Sequence, residues 1–334
     1  MSFSRRHFLL AAAAAAVIGL PATAMADEGI TIAYQTSVEP SKVPQADGLY
    51  EKAIGQKLNW RKFEAGAEVI AAVASGDVQI GFLGSSPLAA AASRGLPIQT
   101  FFIAGQLGSA EALVTRNGSK IESPKDLPGK KVATPFVSTA HYSLLSALKH
   151  WQIDPRQVQV INLRPSEITA AWQRGDIDAA YVWDPALSKA RESGKVLATS
   201  ADVGRWGAPT FDTWIVRRDF AARHPEVLVK FVKVTLDAYA DYRKDPARWD
   251  AASPQVQKIA RLTGASPADV PGLLAGTVFP LAREQLSAGL LGGGTARALL
   301  DTSRFLKAQN KVDQVQASYQ PFVETRYVRQ AAGL

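Results

Sequence analysis

Apolar and polar positions follow the same order twice along this chain. In Glu68 to Pro87, EVIAAVASGDVQIGFLGSSP, apolar residues at helical spacing (Val69, Ile70, Val73) meet a Gly-Asp stop, then alternate, and end in a small loop closed by proline. Glu167 to Pro185, EITAAWQRGDIDAAYVWDP, repeats that order with Ile168, Ala171 and Trp172 on the apolar stripe. Each copy predicts a helix, a turn, a short buried strand and a ligand-facing loop that opens the next helix. Gly76 and Gly175 suit the left-handed residue that ends a helix, and Asp77 and Asp176 suit the turn. Pro87 and Pro185 suit a first helical turn, where a missing N–H costs nothing. One such unit is common in α/β proteins; two with matched Gly-Asp and proline predict two similar lobes.

The rest of the chain fits around these copies. Ile30 to Tyr34 alternates as a first strand and runs into Gln35-Thr36-Ser37, a polar loop where parallel-sheet proteins place ligands. A helix is predicted over 43–58, strands over 58–63 and 98–104, and an alanine-rich helix up to Arg94. Two further strands each begin with an acid, Glu111-Ala-Leu-Val-Thr-Arg116 and Asp212-Thr-Trp-Ile-Val-Arg-Arg218. Between them lie the second copy, a helix over 143–150 and a strand over 158–163. The economical topology is one lobe inserted in another: residues 27–110 and 213–334 form lobe 1, residues 111–212 form lobe 2, and Glu111 and Asp212 mark the crossings. Two ordinary strands with solvated first residues are the alternative. Beyond Arg218 the chain is predicted helical, with a long helix over 220–242 and a glycine turn, Gly292-Gly-Gly-Thr295, before a helix over 296–308.

Composition adds a location. The first residues, Ser4-Arg5-Arg6-His7-Phe8-Leu9-Leu10, precede an alanine-rich apolar run and Ala24-Met25-Ala26, a small-x-small cleavage signature, so residues 1–26 are expected to be a signal peptide cleaved after Ala26. The paired arginines resemble a twin-arginine export signal; an ordinary secretory signal with a basic head is the alternative. No later stretch is long and apolar enough to span a bilayer, and with no cysteine there is neither a lipid-anchoring thiol nor a disulfide. A free periplasmic protein is expected, and a monomer. Losing Arg5 and Arg6 lowers the formal charge from +8 to +6, dispersed rather than clustered, so no nucleic-acid face is indicated, while an anionic ligand would not be repelled.

Two loops are candidate anion sites, Gly84-Ser85-Ser86-Pro87 and Ser138-Thr139-Ala140-His141-Tyr142, each where a strand is expected to hand over to a helix. Exposed N–H groups at a helix start, helped by hydroxyls, satisfy an oxyanion without a counter-charge; simple capping by Ser or Thr is the plainer explanation. Opposite charge is available from Glu111, Asp212 and Asp184, with Tyr34, Trp183, Trp206 and Trp214 as candidate aromatic walls. Carboxylates beside aromatics suit a cationic amine. The combination asks for a small zwitterion with a strong oxyanion head. Catalysis finds little support: only His141, His150 and His224 follow the leader, and no metal-ligand spacing, nucleophile elbow or phosphate loop occurs. No cofactor is implied.

Three stretches, DLPGKKVATPFVSTAHYSLLSALKHW (126–151), AAWQRGDIDAAYVWDPAL (170–187) and SGDVQIGFLGSSPLAAAAS (75–93), closely resemble the periplasmic substrate-binding proteins of sulfonate, nitrate and taurine ABC importers. AYQTSVEPSKVPQADG (33–48), RWGAPTFDTWIVRRDF (205–220) and DVPGLLAG (269–276) extend the resemblance over nearly the whole mature chain. It implies a type II periplasmic-binding fold, two α/β lobes on a two-segment hinge closing over a ligand, and an ABC transporter membrane permease as partner. It also implies that Gln35, Ser85, Ser86, Thr139 and His141 hold a sulfonate, and that Glu111 and Asp212 hold the ammonium of taurine or a related small sulfonate. The chain departs from the family at Asp184, where members often carry a neutral residue; this acid would face solvent or alter which amine fits. An enzyme on the same architecture is the competing class. Of its architectural relatives, porphobilinogen deaminases hold their cofactor through a cysteine, which this chain lacks.

Overall fold

The structure, a computed structural model, describes residues 29–334. The expected leader, with its paired arginines and its cleavage point at Ala26, lies outside these residues. The strands in chain order are β1 (Ile30–Tyr34), β2 (Leu58–Lys62), β3 (Ile80–Gly84), β4 (Ile98–Leu107), β5 (Glu111–Arg116) and β6 (Lys131–Thr134). They continue with β7 (Gln159–Asn162), β8 (Ala179–Trp183), β9 (Gly194–Thr199), β10 (Phe211–Arg217) and β11 (Thr277–Val278). They form two sheets, one in the order β11-β4-β10-β3-β1-β2 and the other β7-β6-β8-β5-β9.

Each sheet has a parallel trio, β2-β1-β3 or β7-β6-β8, with one antiparallel strand laid beside it, β10 against β3 and β5 against β8. These antiparallel strands are the ones that begin where the chain changes sheet. Because each runs against the last strand of a doubled unit, its first residues face that strand's end: Asp212 pairs with Gly84, and Glu111 with Trp183. Two acids therefore stand at the carboxyl ends of parallel strands, where open α/β sheets bind ligands. Strand β10 belongs wholly to the first sheet, so Asp212 sits with lobe 1 and not at the end of the insert, where the expected boundary put it.

The doubled units fold alike. Helix Gly66–Ser75 buries Val69, Ile70 and Val73 and ends at Gly76 with φ 95°; helix Pro165–Arg174 buries Ile168, Ala171 and Trp172 and ends at Gly175 with φ 76°. Each is followed by a buried strand, β3 or β8, and then by a helix, Ser85–Ser93 or Ala186–Arg191. One large core surrounds the first sheet and takes in the C-terminal helices, while separate clusters around Trp172 and Leu187 and around Leu144 and Tyr181 pack against the second.

Some elements differ from expectation for local reasons. The helix expected over 43–58 is two, Lys42–Ala46 and Leu49–Ile54, divided at Gly48 with φ 66°. The one expected over 220–242 is divided at Pro225 into Arg218–Arg223 and Pro225–Lys244, because proline lacks the N–H that would continue the first. Helix Thr139–His150 begins four residues earlier than 143, so most of the expected anion loop is its first turn. Between the lobes, Thr36 Oγ1 donates to the Asp184 carbonyl at 2.8 Å, Ser166 Oγ donates to Glu64 Oε2 at 2.7 Å, and Arg164 pairs with Glu68 at 2.9 Å. The lobes thus touch across a cleft through polar side chains.

Candidate functional site

The cleft is lined from both lobes, and its floor is acidic. Glu111 and Asp212 both face it and are both buried. The Glu111 carboxylate accepts from Thr139 Oγ1 at 2.5 Å and from Ser200 Oγ at 2.7 Å, and Ser200 is itself 3.1 Å from the Tyr181 hydroxyl. Those hydrogen bonds favour the charged form, yet burial outweighs them and lifts the Glu111 pKa to about 7. Asp212 accepts from Ser37 Oγ at 3.5 Å. Burial, then the charges of Glu111 and Glu39, raise it well above the usual carboxylate range.

Glu39 is a third acid in the cleft, but it is compensated. Fully buried Lys42 pairs with it at 3.0 Å, and the Tyr239 hydroxyl, whose proton is shared with the Ala104 carbonyl at 2.6 Å, lies 3.1 Å from its other oxygen. Among the described residues no cation pairs with Glu111 or Asp212. Carboxylates held out of water without a counter-charge favour protonation, and a ligand ammonium placed between them would restore ionisation.

Hydrogen-bond donors of the opposite need also line the cleft. Gln35 Nε2 and Trp183 Nε1 are buried there and find no acceptor among the described residues; Ser86 Oγ, in the first turn of helix Ser85–Ser93, is also unpartnered, but Ser86 does not line the cleft. Buried donors without acceptors are rare, so the convergence of Gln35 and Trp183 on one cleft is informative. Two helices begin at this cleft, Ser85–Ser93 and Thr139–His150, and the N–H groups of a first helical turn have no acceptor within their helix; at the second, Ser138 Oγ caps the His141 N–H at 3.1 Å, while the first has no side-chain cap. The two starts approach so closely that a Cβ on Gly84 would lie 2.6 Å from Thr139 Cγ2. Glycine at 84 is what lets the lobes meet there. Ser85 is buried beside the cleft, 3.5 Å from the Phe211 N–H.

Several expected site residues lie elsewhere or act differently. The Thr139 hydroxyl serves Glu111, so its side chain belongs to the acidic side of the cleft. His141 does not line it: the ring stacks on Phe136 at 4.5 Å, and its Nδ1 accepts from the Val137 N–H at 3.4 Å. Burial, aided by Lys311, lowers its pKa to about 4. Trp206 is a surface residue stacked on His150 at 4.1 Å, Trp214 is in the core against Phe82 and Phe231, and Tyr34 packs on Trp60. None of the three lines the cleft. Asp184 does, and it is buried rather than solvated: both its oxygens accept from Ser188 Oγ, and one also accepts from the Ser188 N–H, while burial raises its pKa to about 6. Ser37, in the polar loop expected to meet ligand, lines the cleft, and so do Glu39, Leu273, Thr277 and Phe279, which were not expected there. The acid and base three apart in Glu39-Pro-Ser-Lys42 were a legible signal; the last three carried none.

Residues 28–249 match the NMT1/THI5 like family. The chain belongs to that family. It is 50% identical over 329 residues to the taurine-binding periplasmic protein of Escherichia coli (strain K12), covering 98% of this chain and 100% of the relative. Among solved structures it resembles the alkanesulfonate-binding protein SsuA of Xanthomonas axonopodis pv. citri bound to MOPS, with a TM-score of 0.70 and 24% identity over 85% of this chain and 94% of that one. It also resembles the desulfurization enzyme DSZB, with a TM-score of 0.65 and 14% identity over 91% of this chain and 99% of that one. The fold is that of the type II periplasmic binding proteins, two α/β lobes about a cleft.

Proposed function

We propose that this protein captures taurine, or a closely related small aminoalkanesulfonate, in its interlobe cleft in the periplasm and delivers it to the membrane permease of an ABC transporter. The observation that carries this reading is the pairing, in one cleft, of buried acids without an ion-pair partner, Glu111 and Asp212 with the Ser188-bonded Asp184 beside them, and two buried donors without an acceptor, Gln35 Nε2 and Trp183 Nε1. A small zwitterion satisfies both sets at once. The ammonium would lie with Glu111 and Asp212, beside the indole of Trp183, and the sulfonate with Gln35 Nε2, Trp183 Nε1 and the N–H groups of the two helix starts. The half-identical taurine-binding relative supports the same ligand. Taurine has about seven heavy atoms, and a ceiling of about −1.5 kcal/mol per atom allows roughly −10 kcal/mol. Useful affinity therefore needs both ends of the molecule engaged.

The alternative within the family is a receptor for other aliphatic sulfonates or small anions. The paired acids weigh against it, since they give a ligand without an amine nothing to neutralise. An enzyme on the same fold, as DSZB is, would need a reacting group in the cleft. The chain has no cysteine, and His141 is held against Phe136 outside the cleft. Isothermal titration of Asp212→Asn and Glu111→Gln with taurine and with ethanesulfonate tests the reading. Each substitution should weaken taurine by more than about tenfold, as loss of a buried charge partner does, and leave ethanesulfonate nearly unchanged. Equal losses for both ligands would remove the amine assignment, and product formed from bound taurine would favour the enzyme.

A further inference from the structure

One side of the cleft is apolar and comes from a stretch of chain far from the acids in sequence. Leu273, Thr277 and Phe279 line it, and all three lie beyond residues 28–249, the part that matches the family. They follow one another through the end of helix Val270–Ala275 and the short strand β11, which pairs with Gln106 and Leu107 of β4. The segment is held hard against the first chain crossing. A Cβ on Gly108 would lie 2.5 Å from the Gly276 carbonyl oxygen, and one on Gly276 would lie 2.8 Å from the Ala110 nitrogen. The Ala110 N–H donates to the Gly276 carbonyl at 3.4 Å, one residue before Glu111.

The wall also has little freedom to retreat. Phe279 is buried edge-on against Tyr239 at 5.2 Å and Tyr242 at 5.7 Å, and Leu273 is buried as well. Gln285, fully buried on the helix that follows, accepts from the Ile103 N–H at 2.9 Å and donates to the Ile103 carbonyl at 2.7 Å. Across the cleft lining, Gly105 is so close to the wall that a Cβ would lie 2.6 Å from Thr277 Cγ2. A ligand with a longer carbon spacer needs room between its two charged ends. With the acids fixed on strands and the wall keyed to the same crossing, that room is not available by a small shift.

We propose that Leu273, Thr277 and Phe279 set the spacer length that the cleft accepts, so that this segment, and not the charged groups, separates two-carbon from longer aminoalkanesulfonates. The proposal rests on the aminosulfonate reading above. In a packed apolar site one additional methylene is worth about 10- to 200-fold in discrimination. The wild-type protein should therefore bind taurine at least about tenfold more tightly than 3-aminopropanesulfonate.

The test is calorimetric titration of wild type, Leu273→Ala and Thr277→Ser with taurine, 3-aminopropanesulfonate and 4-aminobutanesulfonate, with circular dichroism to compare folding. Leu273→Ala should shrink the preference for taurine over 3-aminopropanesulfonate by about tenfold. The shift should come mainly from tighter binding of the longer ligand. Thr277→Ser removes the one methyl that crowds Gly105 and should move the ratio in the same direction by a smaller amount; it remains informative if the leucine variant does not fold. Wild-type binding of taurine with a ratio unchanged in a folded variant would overturn the wall while leaving the proposed ligand standing. Absence of taurine binding by the wild-type protein would overturn both.

Discussion

Burial of Glu111 and Asp212 without a cation makes ligand capture a proton-linked event. In the ligand-free cleft Glu111 has a pKa of about 7, against an ordinary 4.5, because desolvation outweighs the hydrogen bonds from Thr139 and Ser200. Asp212, on the facing lobe, is also raised well above the usual carboxylate range, by its own burial and then by the charge of Glu111. An ammonium stays protonated across this range. It binds well only to the ionised acid, so whatever proton Glu111 holds must leave, and affinity follows the ionised fraction. That fraction is about one half at pH 7 and about 1% at pH 5 for a group of this pKa. Taurine should therefore bind about 50-fold more weakly at pH 5 than at pH 7, with the slope levelling above about pH 8 and steepened by any share that Asp212 carries. Titration at pH 6 in buffers of different ionisation enthalpy should count at least about one proton released per taurine bound, rising toward two as Asp212 ionises with Glu111. Ethanesulfonate, which has no amine, should release none. A taurine affinity that is flat between pH 5 and 7, or an ethanesulfonate affinity that follows the same curve, would refute the linkage.

The same burial has a cost in the empty protein. Since the folded-state pKa of Glu111 lies above its unfolded value, the stability tied to its proton is full below about pH 4.5 and is lost as pH rises through about 7. Glu111→Gln should then raise the ligand-free melting temperature at pH 7.5, toward an upper bound of roughly 3 kcal/mol, and change it little at pH 4.5, as differential scanning calorimetry can read. Lys42→Met should act in the opposite direction: it leaves the buried Glu39 carboxylate without its partner, which costs about 3–5 kcal/mol in urea denaturation. Gly84→Ala puts a methyl where Thr139 Cγ2 approaches to 2.6 Å. Small-angle scattering of that variant with saturating taurine should show a larger radius of gyration than the liganded wild type, and its affinity should fall for taurine and ethanesulfonate alike.

How much of this was legible beforehand depended on whether the signal was local. The two doubled units announced themselves because a helix stripe, a left-handed glycine and a buried strand all lie within twenty residues, and the fold used each as the pattern implied. Glu111 and Asp212 were legible as acids heading apolar strands. What made them meet is the antiparallel pairing of β5 with β8 and of β10 with β3, which no local pattern encodes. The edge strand β9 was missed because most of GKVLAT is only half covered and shows no clean alternation. His141 and Trp206 failed as site residues because a ring's direction is set by its neighbours: Phe136 holds one and His150 the other, both away from the cleft. Leu273, Thr277 and Phe279 were not legible as a cleft wall: Leu273 and Phe279 look alike whether they face a core or a ligand, and the two-residue strand that holds Thr277 is too short to show alternation.

The placement of Glu111 and Asp212 on different lobes bears on how closure is made selective. A ligand moves a two-state equilibrium only by its difference in affinity for the two states. Any sulfonate gains from meeting both helix starts at once, because helix Ser85–Ser93 follows β3 of the first sheet and helix Thr139–His150 follows β6 of the second. That gain alone would close the lobes over many anions. Asp212 and Glu111 add nothing to that gain by themselves, since burial, and for Asp212 also the Glu111 charge, favours their protonated forms. An amine at the other end of the ligand lets them ionise and turns them into an attraction spanning the lobes. The acids then act as a handle that only a ligand with the positive end can use, which separates taurine from an amine-free sulfonate by added affinity for the former rather than by exclusion of the latter.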